Sequence, residues 1–279
     1  MRDIITRFAP APTGFLHLGH VVNAISVWGL ARRLGGRVLL RIEDHDRQRS
    51  RTEFDRAIVA DLAWLGFVAD APSVRQSERG EVYASALARL QSQGLIYACG
   101  CARTDWYPGT CRERNLVDGR GMTLRVRLDP SVERFVDLRH GPQEQRPSEQ
   151  CGDMVVRDRD GNWTYQFAVT VDDVEQGVTL VIRGDDLLDS TGRQLQLARL
   201  LGRQNPPRFF HHPLIMKSAT QKLSKSDHDT GVRELRAAGW TAERVIGQAA
   251  VQAGLLTELR DVHAADVSSI ISLLSEGDL

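Results

Sequence analysis

Residues 4–44 read IITRFAPAPTGFLHLGHVVNAISVWGLARRLGGRVLLRIED. Ile4–Phe8 is a short apolar run that ends in Ala9-Pro10-Ala11-Pro12-Thr13-Gly14, the pattern of a strand entering a turn-rich loop. Residues 17–34 follow with apolar positions at 21, 22, 25, 28 and 30, a helical spacing that Gly35-Gly36 closes. Residues 37–42 then form a second strand, with Glu43 and Asp44 at its carboxyl end. A strand, a helix and a strand in immediate succession predict an α/β fold built on a parallel sheet.

Working outward, Ser50-x-x-Glu53 has the form of a capping box and predicts a helix over 51–65. A further helix is expected over 78–93, stopped by Gly94, with a cysteine-bearing segment over 97–115. Strands are expected over 123–128 and 153–171, joined by the polar stretch 137–152. A strand over 178–182, a helix over 190–201 and a strand over 209–216 come next, and the tail over 230–275 reads as helical.

Composition narrows the class. With 279 residues, 42% hydrophobic and 26% charged, the chain is neither disordered nor a disulfide-rich mini-protein. No apolar run approaches the roughly 18 residues of a membrane span, and the first ten residues carry no signal pattern. A cytoplasmic protein with no membrane partner is expected. Lys+Arg and Asp+Glu both total 36, so no strong polyanion footprint is present. Residues 240–279 hold two basic and six acidic side chains, leaving the remainder mildly basic. The three lysines, Lys217, Lys222 and Lys225, fall within nine residues in a chain that otherwise uses arginine for every strong base. Lysine is a compact charge on a flexible stem, so one segment has been spared a general bias for a physical reason. Of the four cysteines, Cys99, Cys101 and Cys111 lie within thirteen residues, a cluster that suits a metal before a disulfide. Cys151 stands apart, as a lone core cysteine or as a further ligand if the chain folds back.

Two short motifs carry chemistry. His17-Leu18-Gly19-His20 sits where the first strand turns into the first helix, and free amides and the positive dipole end favour phosphate there. Both histidines can donate to phosphate oxygens as negative charge builds, and Gly19 leaves room for a flat base. Lys222-Leu223-Ser224-Lys225-Ser226 places two ammonium groups on a loop, which suits a triphosphate and its leaving pyrophosphate. Each motif alone is weak, because a surface histidine pair or a solvated basic loop would look the same.

Together, HLGH near the start and KLSKS about 200 residues later resemble the paired signatures of the class I aminoacyl-tRNA synthetases. Residues 7–20, RIEDHDR at 41–47, VIRGDDLLDST at 181–191 and HHPLIMKSATQKLSKS at 211–226 resemble the glutamyl group of that family. Within it, the sequence is similar to the short paralogues that glutamylate queuosine in tRNA(Asp). Three features carry this: the 53 residues after KLSKS, too few for a large anticodon-binding domain; the pair Leu187-Leu188 after RGDD; and Tyr107-Pro108-Gly109-Thr110-Cys111-Arg112, like the paralogues' zinc insert. Ala11 departs from the serine usual there, and Gly192 from a common proline.

The resemblance implies a Rossmann-like parallel sheet with helices on both faces. It divides the chain into a nucleotide-binding core (1–96 and 170–228), an inserted acceptor-like zinc subdomain (97–169) and a short helical part (229–279) without a separate anticodon-binding domain. It implies that ATP, with Mg²⁺, is held by His17, Gly19, His20 and Lys225. His17, His20, Lys222 and Lys225 would stabilise the transition state, and Arg7, Phe8, Ala9, Pro10, Ala11, Glu43, Tyr165 and Arg183 would bind L-glutamate. Arg7 and Arg183 suit carboxylates as two-pronged donors and Glu43 suits the ammonium. Asp185 and Asp186 would touch the ribose or amino group, or cap the following helix. A structural Zn²⁺ would sit on Cys99, Cys101, Cys111 and Tyr107. The implied reaction is adenylation of glutamate followed by transfer to queuosine at the wobble position, the anticodon arm of tRNA(Asp) being gripped by a monomer. Rival readings are a minimal glutamyl-tRNA synthetase charging the acceptor end of tRNA(Glu), a small-molecule nucleotidyltransferase, and a non-catalytic tRNA- or zinc-binding relative.

Overall fold

A computed structural model describes residues 3–102, 104–214 and 231–271. All three lysines therefore lie outside the described residues. The opening unit is as expected: β1 (Ile5–Phe8), α1 (Leu18–Arg33) and β2 (Arg37–Ile42), with β1 and β2 paired in parallel from Ile5↔Arg37 to Phe8↔Leu40. Helix α1 is buried on nearly every face, Leu18, Val21, Val22, Ile25, Val27, Trp28 and Leu30 among its interior residues, so it is the central element of the core.

The chain continues through α2 (Thr52–Leu65), β3 (Val74–Arg75), α3 (Gly80–Ser92), β4 (Ile96–Cys99), β5 (Thr123–Val126), β6 (Glu133–Asp137), β7 (Gly141–Gln145), α4 (Pro147–Gln150) and β8 (Met154–Arg157). Then come α5 (Tyr165–Glu175), β9 (Leu180–Gly184), α6 (Thr191–Leu200), β10 (Arg208–His212), α7 (Val232–Ala237), α8 (Ala242–Gln252) and α9 (Val267–Ile270). Strands β1, β2 and β3 form one parallel sheet. Strands β9, β10 and β6 are also parallel, with β7 closing the edge as the second arm of a hairpin with β6. The amide of Thr179 bonds to the carbonyl of Ile5 at 2.8 Å, which sets β9 beside β1. A separate antiparallel sheet, β4-β5-β8, supports the cysteine segment.

Four expectations are corrected. Residues 153–171 are not one strand: β8 ends at Arg157, and α5 begins at Tyr165. The β-branched run in QFAVTVDDV looks extended, but Phe167, Ala168 and Val171 bury one helical face against α3 and α6, and tertiary packing overrides propensity. The polar stretch 137–152 contains β7, whose side chains alternate between solvent and interior. Ser50 and Glu53 form no capping box: Arg51 is the cap residue, without a side-chain bond, and its amide is held by the Pro12 carbonyl at 3.1 Å. The described tail is a set of short helices rather than a continuous one.

Helices α8 and α9 pack on α1. Val245, Ile246, Ala249, Ala250, Val267, Ile270 and Ile271 share the cluster that contains α1 and both of its flanking strands. The approach is close enough to require Gly29, where a Cβ would stand 2.6 Å from Ile271 Cγ1. No described helix is long and apolar enough to cross a membrane.

Candidate active site

The HLGH motif is the true capping box of this chain. His17 is the N-cap residue of α1 and has extended backbone angles. Its Nδ1 accepts the Gly19 amide at 3.0 Å, and His20 Nδ1 accepts the His17 amide at 3.1 Å. The ring centroids are 4.0 Å apart. With both Nδ1 atoms acting as acceptors, each neutral ring carries its proton on Nε2, the form that donates outward. Gly19 is needed for a reason other than room for a base: a Cβ there would lie 2.8 Å from His17 Cε1 and 3.0 Å from Nδ1. The missing side chain makes space for the imidazole that caps the helix.

The described chain leaves the sheet near Leu214 and resumes at Gly231, which bridges to His17; the Val232 amide bonds to the Leu16 carbonyl at 2.9 Å. Both described flanks of the lysine segment thus join the core, one of them directly at the HLGH turn.

Four of the expected residues lie within electrostatic reach of one another. Arg7 comes from β1, Glu43 from the end of β2, Arg183 from β9 and Tyr165 from the start of α5. Tyr165 and Arg183 each feel the charge of the other, of Glu43 and of Arg7, and Glu43 feels that of Arg7. Burial pushes Glu43 up against the pull of Arg41 and Arg7, so a cation would be welcome beside it. Burial, with Glu43 nearby, pushes the Tyr165 hydroxyl up to about 12, leaving it a neutral donor. Burial lowers Arg183 to about 10, still charged at neutral pH. Arg7 is fixed through Nε to Asp173 Oδ1 at 3.0 Å and through one Nη to the Ile182 carbonyl at 3.3 Å. Its remaining Nη hydrogens make no hydrogen bond among the described residues.

The rest of the expected glutamate set, Phe8 to Ala11, is placed as follows. Phe8 is a core residue, its ring 5.4 Å from that of Trp28. The Pro10 carbonyl takes the Glu43 amide at 3.0 Å and so ties the Ala9–Ala11 loop to the end of β2. Asp185 does not cap a helix: it accepts Arg139 at 2.6 Å and His140 at 2.7 Å from the β6–β7 turn.

Residues 3–105 and 111–255 match the family described as tRNA synthetases class I (E and Q), catalytic domain. The chain belongs to this family. Curated relatives include glutamyl-Q tRNA(Asp) synthetases from Symbiobacterium thermophilum and Nitratidesulfovibrio vulgaris. They are 42% and 40% identical over 96% and 95% of this chain, and over 92% and 91% of their own lengths. Another, from Ectopseudomonas mendocina, is 46% identical over 80% of this chain and 77% of its own length. Among solved structures, a glutamate tRNA ligase from Elizabethkingia meningosepticum in complex with its amino acid is similar at TM-score 0.81 and 25% identity. The similarity covers 97% of this chain and 65% of that one.

Arg7 and Glu43 are tied into a buried ion network that sequence reasoning missed. Arg41, fully buried, donates to Asp173 Oδ1 at 2.8 Å and to Glu43 Oε1 at 3.1 Å. Burial works against its charge, but Asp173, Glu43 and Asp172 outweigh it and hold Arg41 above its ordinary value. Asp173 is held down near about 2: burial opposes its charge, and Arg7 and Arg41 overcome that. Asp172 collects Arg79 Nε at 2.6 Å, Gln76 Nε2 at 2.7 Å and the Tyr83 hydroxyl at 2.9 Å. The available signal was Asp172-Asp173 inside the apolar run of α5, because two carboxylates there require partners.

The cysteine segment forms the second centre. Cys99, Cys101 and Cys111 bring their sulfurs within 4.8 Å of one another. The Cys101 and Cys111 sulfurs are 3.6 Å apart, and Tyr107 Oη lies 3.3 Å from Cys99 Sγ and 3.8 Å from Cys101 Sγ. A tetrahedral zinc with Zn–S near 2.3 Å needs edges of about 3.5–3.8 Å, so the donor set is compatible with zinc. Burial opposes the Cys99 thiolate, but its bond with Tyr107, the Cys101 amide and Arg125 hold it below the ordinary thiol value. Cys151 is not part of this group: its thiol donates to the Pro147 carbonyl at 3.2 Å and sits in another core cluster.

Proposed function

We propose that this chain activates L-glutamate with ATP and transfers the glutamyl group to queuosine in the anticodon arm of tRNA(Asp). The observation that carries the reading is the reciprocal histidine cap of α1, which follows β1, the strand that supplies Arg7 to the charged group with Arg183, Tyr165 and Glu43. One half suits the phosphates of a nucleotide, and the other suits an amino acid with two carboxylates and an ammonium. In the first step, a glutamate carboxylate oxygen bonds to the α-phosphorus and pyrophosphate leaves with the cleaved P–O pair. His17 and His20 donate Nε2–H to phosphate oxygens, and Lys222 and Lys225 neutralise the pyrophosphate, with Mg²⁺ accompanying the triphosphate. In the second step, a hydroxyl oxygen of the queuosine ring bonds to the acyl carbon, the acyl C–O bond to AMP breaks, and AMP leaves with that electron pair as the hydroxyl proton passes to its phosphate. The names of the relatives at 40–46% identity support the nucleoside acceptor.

Arg7 gripping a carboxylate by its open fork and Arg183 contributing a single N–H replace the earlier picture of two equivalent forks. A structural Zn²⁺ on Cys99, Cys101, Cys111 and Tyr107 would fix the 97–115 segment; burial and the bonds with Cys111 and Cys99 push the Tyr107 hydroxyl well above its ordinary value, so its oxygen would approach the ion as a neutral donor unless the metal itself ionised it. The enzyme would act in the cytoplasm as a monomer, with residues 97–169 as its inserted subdomain.

The deciding experiment follows labelled glutamate on bulk tRNA after incubation with ATP. Label in an anticodon-loop fragment is expected. Label on the terminal adenosine would overturn the acceptor assignment in favour of tRNA(Glu) charging. Absence of glutamate-dependent pyrophosphate exchange by folded enzyme, with or without tRNA, would overturn the activation step.

A further inference from the structure

The Arg183 guanidinium has five N–H donors, and the protein takes four. Nε donates to His211 Nε2 at 2.9 Å, and one Nη to Gln194 Oε1 at 2.6 Å. The other Nη donates to Thr191 Oγ1 at 2.8 Å and to the Leu187 carbonyl at 3.3 Å. The first of these bonds fixes the chemistry of His211. Its Nε2 must present a lone pair, so its proton resides on Nδ1. That nitrogen meets Asp137 Oδ2 at 2.7 Å. Asp137 Oδ2 also accepts the His211 amide at 3.1 Å, and its Oδ1 accepts the amides of Arg139 and His140 at 2.9 Å each. Relative exposure is 1% for Asp137, 0% for His211 and 4% for Arg183.

The three residues come from three strands. Asp137 ends β6, His211 lies in β10 and Arg183 in β9, with His211↔Arg183 in register and Phe209↔Asp137 pairing on the other side. Burial pushes His211 down, and the Arg183 charge adds to this against the pull of Asp137. A ring protonated on both nitrogens would set N–H against N–H at Arg183.

We infer that Asp137 and His211 are positioning residues for recognition of the amino-acid carboxylate: Asp137 holds His211 in its Nδ1–H tautomer, and the Nε2 lone pair orients Arg183 so that a single N–H is left for the ligand. The inference rests on the reading of Arg183 as a glutamate ligand. Neither residue touches substrate. Their effect is on the direction of a donor that does, which a purely structural buried pair would not produce.

The test is pyrophosphate exchange with glutamate and ATP varied separately. His211→Leu removes the acceptor and should raise the glutamate KM about tenfold or more, with the ATP KM within about twofold. His211→Gln offers an amide oxygen to Arg183 and should recover most of the loss. Asp137→Asn replaces a carboxylate oxygen with an N–H donor, forces the proton to Nε2, and should raise the glutamate KM as His211→Leu does. Nitrogen NMR of histidine-labelled wild-type enzyme should show His211 as the neutral Nδ1–H form, a readout that does not depend on a variant folding. A wild-type Nε2–H tautomer overturns the proposal. So does a His211→Leu enzyme with unchanged glutamate KM, or one whose ATP KM rises equally. Arg183→Ala in the same assay separates the two levels: if it leaves the glutamate KM unchanged, the site reading fails. If it raises the KM while His211→Leu does not, only the positioning role fails.

Discussion

His17 gives one ring nitrogen to its own helix, and this fixes which nitrogen faces outward. Gly19→Ala places a methyl 2.8 Å from His17 Cε1 and must push the ring away. The lost cap costs about 1 kcal/mol of stability. On the proposed function the ring is also a phosphate donor, so a fall of about a hundredfold in the exchange rate is expected, with only a small drop in thermal midpoint. Asp61 offers a test unrelated to the site. Burial raises its carboxyl from 3.8 to about 6, against Arg233 and Arg236, and its Oδ2 has no hydrogen-bond partner among the described residues. Between those values the unfolded chain is ionised and the folded chain keeps its proton. Stability is therefore lost as pH rises through that window. Asp61→Asn should be more stable than the parent by roughly 2–3 kcal/mol at pH 7.5, with the gap closing near pH 4, as read from urea midpoints.

At the scale of elements, β1, α1 and β2 were legible because each shows a clean period and Gly35-Gly36 marks a stop. The inner face of β6 was not, since it carries Phe135 and Asp137, and a buried carboxylate makes a strand read as polar. Helix α5 was misread because Thr170, Val169 and Val171 favour extended backbone, and only contacts with α3 and α6 reverse that. Arg7, Glu43, Tyr165 and Arg183 could be named from the sequence through family resemblance. Arg41 and Asp137 could not, because what they do depends on which strands become neighbours, and Asp172-Asp173 signalled only that partners were needed. The contact of α9 with α1 makes its own prediction. Gly29→Ala drives a methyl into Ile271 Cγ1 at 2.6 Å and should cost about 1–3 kcal/mol in denaturant midpoint. For the cysteine segment, metal analysis should find one zinc per chain, and Cys111→Ala should lose it together with part of the thermal stability.

The whole molecule is less divisible than a sequence reading suggests. The tail reads as an appended helical part, yet Val245, Ile246, Val267 and Ile270 complete the cluster around α1. A chain cut after Gly239 is expected to be insoluble or unfolded by circular dichroism, rather than a smaller active enzyme. The pairing of β6 with β10 extends the same logic to the segment that interrupts the core. That segment is not hung on two threads like a flag; it is grafted into the main sheet by a third seam. The seam ends on the carboxylate beside His211. A large polyanion leaning on the graft would have no slack to take up before its weight reached His211 and, through it, the arginine proposed to receive the amino acid.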